Sequence, residues 1–159
     1  MTRVFLGITG ASGVIYGIKV LELLKKAGVE VHLSISKTAE KVIRLETDYD
    51  VQYVKSLADY VWPEDGLTAP PASGSFGIDS VAVVPSSTKT LAAIANGITT
   101  NLITRFYDRP AVKARRRGWL LTAALGAFVR LQYGLQPSYE HGYEAGGGFV
   151  IWYLAPHAL

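Results

Sequence analysis

Apolar residues in this chain gather in short runs that end at glycine, serine or proline, and between those runs they recur at helical spacing. Arg3–Thr9 is a short, mostly apolar run of the kind buried on both faces of a parallel sheet. Gly10-Ala11-Ser12-Gly13 breaks it, and a helical pattern follows through Val14, Ile18, Leu21 and Leu24/Lys25 to a stop at Gly28. Val29–Ile35 reads as a second strand, and Ser36 is placed to cap a helix through Ala39, Val42, Ile43 and Leu45. Strand, turn, helix and strand in that order make a βαβ unit, whose right-handed crossover sets the strands parallel. Ser80–Pro85 is a third buried strand. Ser86-Ser87-Thr88 opens a helix carrying Leu91, Ala92, Ile94 and Ala95, Gly97 ends it, and Asn101–Arg105 begins another.

This pattern predicts an α/β domain, a doubly wound parallel sheet of the Rossmann or flavodoxin-like three-layer type, in which ligands bind beyond the carboxyl ends of the strands. Residues 61–79 form a connection longer than the fold requires, with three of the seven prolines and Gly66, Gly74 and Gly77. Connections of that length are often functional or mobile. Past Arg105 a basic run (Lys113, Arg115–Arg117) precedes a helix-compatible stretch from Trp119 to Tyr133. A Gly- and Tyr-rich segment and a final strand, Phe149–Leu154, come last, with no closing helix to cover that strand.

Composition sharpens the break near Arg105. Residues 1–105 carry 10 Lys/Arg against 10 Asp/Glu, whereas residues 106–159 carry 6 against 3 and hold 10 of the 17 aromatics. A change of structural role, a lineage-specific C-terminus and a shifted reading frame are each consistent with it. With 159 residues, the chain is expected to be one domain, 1–159, made of a βα core over 1–105 and a divergent segment over 106–159. Zero cysteines exclude a disulfide scaffold and a thiolate metal site, and the three scattered histidines give no metal-binding pair, so no metal is expected. The longest uncharged apolar stretch, Gly118–Val129, is too short to span a bilayer, and no opening segment has the layout of a secretory signal. A cytoplasmic protein without nucleic-acid or membrane partners is the expectation; three adjacent arginines with no reading element are weak evidence for nucleic acid.

The candidate chemistry lies at the strand-to-helix junctions. Thr9–Gly13 combines small residues with a helix start, whose free N–H groups and positive dipole end suit a phosphate, although a tight turn that binds nothing has the same look. Neither G-x-G-x-x-G nor a P-loop occurs. Ser86–Thr90 puts five consecutive polar residues, Lys89 among them, where one hydroxyl suffices for a cap. Ser36 makes a third polar junction, and three on one sheet edge argue for an anionic, ring-bearing ligand lying across them. Glu46 is a candidate acid or base as well as an ordinary surface carboxylate, and Arg105 a candidate phosphate clamp as well as an ordinary surface arginine.

Four segments, ITGASGVIYG (8–17), HLSISKTAEKVIRLET (32–47), APPASGSF (69–76) and PSSTKTLAAIANGITTNLITR (85–105), together resemble the UbiX-like flavin prenyltransferases of the homo-oligomeric flavin-containing decarboxylase superfamily. The resemblance implies an FMN site formed by Gly10, Ala11, Ser12, Ser36, Ser87, Thr88, Lys89 and Thr90. It implies a metal-independent reaction in which reduced FMN is alkylated at N5 by dimethylallyl phosphate and closed to a fourth ring at C6. The prenylated FMN would serve a UbiD-type decarboxylase. Ser12 and Glu46 are implied to act in catalysis and Arg105 to lie near the prenyl phosphate, in a homo-oligomer that in this family is often a dodecamer. The alternative is an FMN-binding protein of the same fold without transferase activity. Phe106–Pro110 replaces the small residues that follow in the family, Lys113 matches the family lysine only with a one-residue displacement, and no Arg-Glu pair follows. No site residue is therefore carried into 106–159. A cysteine decarboxylase of the superfamily fits poorly, since His32 sits within a strand and the only methionine is Met1.

Overall fold

The computed structural model describes residues 1–107 and the backbone of residues 118–122, 142–145 and 149–153. Within them the chain runs β1 (Arg3–Ile8), α1 (Val14–Lys26), β2 (Glu30–Ile35), α2 (Lys37–Glu46), α3 (Val51–Ser56), β3 (Tyr60–Val61), a 3-10 turn (Pro70–Ala72), β4 (Ser80–Val83), α4 (Thr88–Ala95), α5 (Leu102–Tyr107), β5 (Gly118–Thr122), β6 (Gly142–Ala145) and β7 (Phe149–Tyr153). The strands join in one sheet with the order β3-β2-β1-β4-β5-β7-β6.

β1 is central. It pairs in parallel with β2 on one side, Gly7 opposite Ser34, and with β4 on the other, Gly7 opposite Val83. The chain thus winds outward from β1 through β2 to β3, then returns to lay β4 against the other side of β1. That reversal places the topological switch point between the carboxyl ends of β1 and β4.

Alternation along the strands sends side chains to two cores. Leu6, Ile8, Val31, Leu33 and Ile35 meet Val14, Ile18 and Leu21 of α1 and Ala39 and Ile43 of α2 on one face. Phe5, Val81 and Val83 meet Ile94 of α4 and Leu102, Ile103 and Phe106 of α5 on the other, where the Phe5 and Phe106 rings stack 3.9 Å apart. Each fully buried Leu or Ile contributes about 1.5–3 kcal/mol relative to exposure. Both faces of β1, β2 and β4 are therefore largely dry, which is why these strands read as continuous apolar runs.

The termini of the early helices lie where the pattern put them. Gly28 and Gly97 follow α1 and α4 at φ 69° and φ 66°, and the next residues, Val29 and Ile98, donate back to Leu24 and Ala93. Ser36 and Ser87 cap α2 and α4.

Four differences from the sequence reading concern the rest, the first being β3, a short strand that takes Val61 out of the long connection. α3 was unforeseen; Asp50 caps it, its Oδ1 accepting from the amides of Gln52 and Tyr53. Residues 118–122, read as the start of a helical stretch, form a strand parallel to β4, Trp119 opposite Ala82. A brief apolar run fits either state, and the open edge of β4 favours strand. β7 and the unforeseen β6 are antiparallel, so the sheet is parallel only from β3 to β5. Residues 123–133, Lys113 and Arg115–Arg117 lie outside the described residues.

The 61–79 connection is anchored at its start and near its end. Trp62 Nε1 donates to Nδ1 of the buried His32 over 3.1 Å, leaving the proton on Nε2 to reach Glu30 Oε1 at 3.0 Å. Phe76 stands edge-on to both rings. His32 is thereby committed to an aromatic cluster.

Candidate functional site

The junctions after β1, β2 and β4 are bonded to one another at the switch point. Thr9, 2% exposed, is the clasp: its hydroxyl donates to Pro85 O over 2.8 Å and accepts from Ser87 N at 2.7 Å, while its amide also donates to Pro85 O at 3.1 Å. The Ser36 amide donates to Ile8 O over 2.9 Å, which ties the second junction to the first. Gly17 lets α1 pass so close to this seam that any Cβ there would strike Val84 O.

α2 lies alongside the 10–13 loop. At its first turn Thr38 packs on Gly10, where a Cβ would overlap the Thr38 side chain. At its last turn Glu46 accepts the Ser12 hydroxyl at 2.7 Å through Oε1 and the Gly13 amide at 2.9 Å through Oε2. Gly13 sits at φ 88°, a left-handed conformation that a glycine adopts without steric cost, and this turns its N–H toward the carboxylate. Of the residues singled out as catalytic, Ser12 and Glu46 are thus joined directly, although 34 positions separate them, while Arg105 stands apart on α5.

The third junction is equally ordered. Ser87 Oγ accepts from Thr90 N at 3.2 Å and donates to Thr90 Oγ1 at 3.0 Å. Ser36 Oγ accepts from Ala39 N at 3.0 Å. The hydroxyls of Ser36 and Ser87 are therefore engaged as caps. Thr88 and Lys89 are exposed and have no side-chain partner among the described residues. Arg105 is exposed on α5, and Gly10 and Ala11 are half-buried in the loop.

Two residues of this rim escape a reading by pattern. In the sequence Thr9 is only the first residue of a small-residue turn. Glu64 lay inside the long connection, yet its carboxylate accepts Lys37 N at 2.8 Å and Asn101 Nδ2 at 3.1 Å.

The donor set is one-sided in a useful way. Glu46 occupies an amide at the start of α1 and Glu64 one at the start of α2, whereas the hydrogen bonds at the start of α4 involve only hydroxyls and backbone. With Lys89 beside it, the α4 terminus is the one of the three suited to a dianion.

The sequence pattern of the flavoprotein family matches residues 1–124. The chain belongs to the flavoprotein family. It is 46% identical over 115 residues to the flavin prenyltransferase UbiX of Archaeoglobus fulgidus, covering 72% of this chain and 63% of that protein. It is 49% identical over 115 residues to the UbiX of Methanocaldococcus jannaschii, covering 72% and 61%. This flavoprotein chain spans about three-fifths of the length of the curated relatives it matches. Among solved structures it is similar to AnUbiX in complex with FMN and dimethylallyl pyrophosphate, with a TM-score of 0.69 and 46% identity over 73% of this chain and 61% of that one. It is also similar to a dodecameric FMN-dependent UbiX-like decarboxylase from Escherichia coli O157:H7, with a TM-score of 0.72 and 27% identity over 91% and 100% of the two chains. No helix among the described residues of the flavoprotein is long and apolar enough to cross a membrane.

Proposed function

We propose that this flavoprotein binds FMN across the β1/β4 switch point and transfers a prenyl group to it from dimethylallyl phosphate, giving prenylated FMN for a UbiD-type decarboxylase. One observation carries the reading: the Ser12–Glu46 pair stands in the same bonded rim as the Ser36 and Ser87–Thr90 junctions. The relatives named flavin prenyltransferase, and a neighbour holding FMN with dimethylallyl pyrophosphate, support it.

The residues present fit FMN. Gly10 lets the 10–13 loop pack directly on Thr38 of α2, which draws the first two junctions together beside the switch point. Thr88, Lys89 and Thr90 with the first amides of α4 would hold the phosphate, and Gly10, Ala11, Ser12 and Ser36 would line the ring. Reduced FMN, when bound, supplies the nucleophilic N5 and C6 that receive the prenyl group.

The protein's part is electrostatic and protonic. Ser12 donates its hydroxyl proton to Glu46, so its oxygen presents lone pairs to the site, and the pair can hold or pass a proton at that oxygen. Arg105 offers a permanent cation to the prenyl phosphate, the group on which charge builds as the carbon–oxygen bond breaks. In this reading residues 1–105 are the FMN-binding core of one domain over 1–159. The dodecameric neighbour supports assembly into a homo-oligomer.

A second reading, an FMN-binding protein of this fold without transfer, is favoured by the absence of an Arg-Glu pair from 106–159. Anaerobic incubation with reduced FMN and dimethylallyl phosphate, followed by mass analysis of the flavin, tests both. Flavin carrying one added prenyl group supports transfer; bound but unaltered FMN supports the second reading; no bound flavin refutes both.

A further inference from the structure

The long 61–79 connection carries a carboxylate to the place where two functional helices begin. Glu64 Oε2 accepts the amide of Lys37, the first residue of α2 and the neighbour of Ser36. Glu64 Oε1 accepts from Asn101 Nδ2, and Glu64 O accepts the amide of Leu102, the first residue of α5. Asn101 in turn holds the first turn of α5: its Oδ1 accepts from Thr104 N at 3.0 Å, and its carbonyl accepts from Arg105 N at 2.9 Å. Three bonds from one half-buried residue therefore fix the start of α2 to the start of α5.

The three bonds differ in kind. The carboxylate facing the Lys37 amide combines charge-assisted hydrogen bonding with the favourable end of the α2 dipole. Its other oxygen takes a charge-assisted bond from the Asn101 side chain, and the bond to Leu102 is an ordinary backbone one. Lys37 is held a second time, its ammonium 3.6 Å from Asp65 Oδ2. Ser36 is buried and its amide is bonded to Ile8 O, so movement at Lys37 is felt at the rim itself.

We infer that Glu64 is a positioning residue for the flavin site, setting the placement of Ser36 relative to Arg105 by tying α2 and α5 together. It touches neither cofactor nor substrate. The inference rests on the FMN reading above.

The test is FMN affinity of the full chain, followed by flavin fluorescence well below the unfolding temperature, in a double-mutant cycle with Ser36. Glu64→Ala should weaken FMN about five- to tenfold, the loss expected when a contact about as strong as one net hydrogen bond is misplaced. Glu64→Gln puts an amide where one carboxylate oxygen was. It should lose either the Lys37 or the Asn101 contact and fall between the parent and Glu64→Ala; it also serves should Glu64→Ala fail to fold. Combined with Ser36→Ala, either variant should weaken FMN by less than the product of the single losses, because both act on one placement. Parent-like affinity in the Glu64 variants, or losses that multiply in the double variant, would overturn the inference and leave the FMN reading standing. Failure of the parent chain to bind FMN would overturn the reading and the inference together.

Discussion

Replacing Thr9 by valine removes the clasp between the first and third junctions while keeping side-chain volume and β-branching. Two hydrogen bonds disappear, at 2.8 Å to Pro85 O and 2.7 Å from Ser87 N. They do not weigh equally. Pro85 O keeps the Thr9 amide as a donor at 3.1 Å, so its loss is partial. The Ser87 N–H is left without the hydroxyl that accepted it, and a buried polar group stripped of its partner costs about 1–3 kcal/mol. The added methyl recovers a fraction of that by burying apolar surface. The net expectation is a destabilisation of about 2 kcal/mol, read as a lower urea midpoint at unchanged slope. Thr9→Ser retains both hydrogen bonds and gives up one methyl, about 1 kcal/mol at a buried site. FMN affinity should fall in Thr9→Val and hold in Thr9→Ser, since Ser87 heads the helix proposed to carry the phosphate. A valine variant as stable as the parent, or a serine variant destabilised as much as the valine one, would refute the reasoning.

Three other expectations follow from the same geometry. Glu46→Gln should lower prenyl transfer by about 10²–10⁴-fold, the range for loss of a positioned acid or base, with FMN affinity changed little; equal loss of both would make Glu46 a binding residue. Asp59, hydrogen-bonded first by the Lys25 ammonium at 2.6 Å and then by the Val31 amide at 2.8 Å, has its pKa lowered from 3.8. Its contribution is therefore complete above that value and lost as the pH falls through its folded-state pKa, so Asp59→Asn should flatten the acid limb of the stability profile in urea titrations. Replacing residues 106–159 by the corresponding stretch of a curated relative should raise prenyl transfer, measured by flavin mass, without tightening FMN, provided this chain's own tail lacks the phosphate contacts.

What could be read from the residues alone was what local chemistry dictates. The strands β1, β2 and β4 announced themselves because both faces of that part of the sheet are buried, and α1, α2 and α4 because a serine or a glycine marks an end. Ser36 and Ser87 proved to be caps, as their places before helical patterns implied. α3 had a legible signal, Asp50 ahead of Val51 and Val54, but a short helix offers too few apolar positions for its period to stand out. β5 became a strand because β4 offered an edge, which no local pattern reports. Thr9 and Glu64 were hidden for another reason: the bonds that give them meaning span 78 and 37 positions, and a threonine after a strand or a glutamate in a loop has no spacing rule to betray it. Ser12 and Glu46 each stood out locally, one in a small-residue turn and one as a helix-end carboxylate, but only the family resemblance linked the two, which the structure bonds across 34 positions.

The place of β5 in the sheet has a consequence for how the protein is made. Every strand that frames the switch point has left the ribosome by Val83, and both cores by Phe106, yet β4 still lacks its outer neighbour. Until Gly118–Thr122 arrives, Ser80–Val83 shows a row of unpaired backbone donors and acceptors on an apolar strand with no charged residue to guard it. Such an edge recruits whatever extended chain is nearby, a second nascent copy included. The divergent last third of the sequence therefore has a duty that precedes any chemistry: its first strand closes a surface that would otherwise turn a nearly finished flavin-binding fold into a template for aggregation.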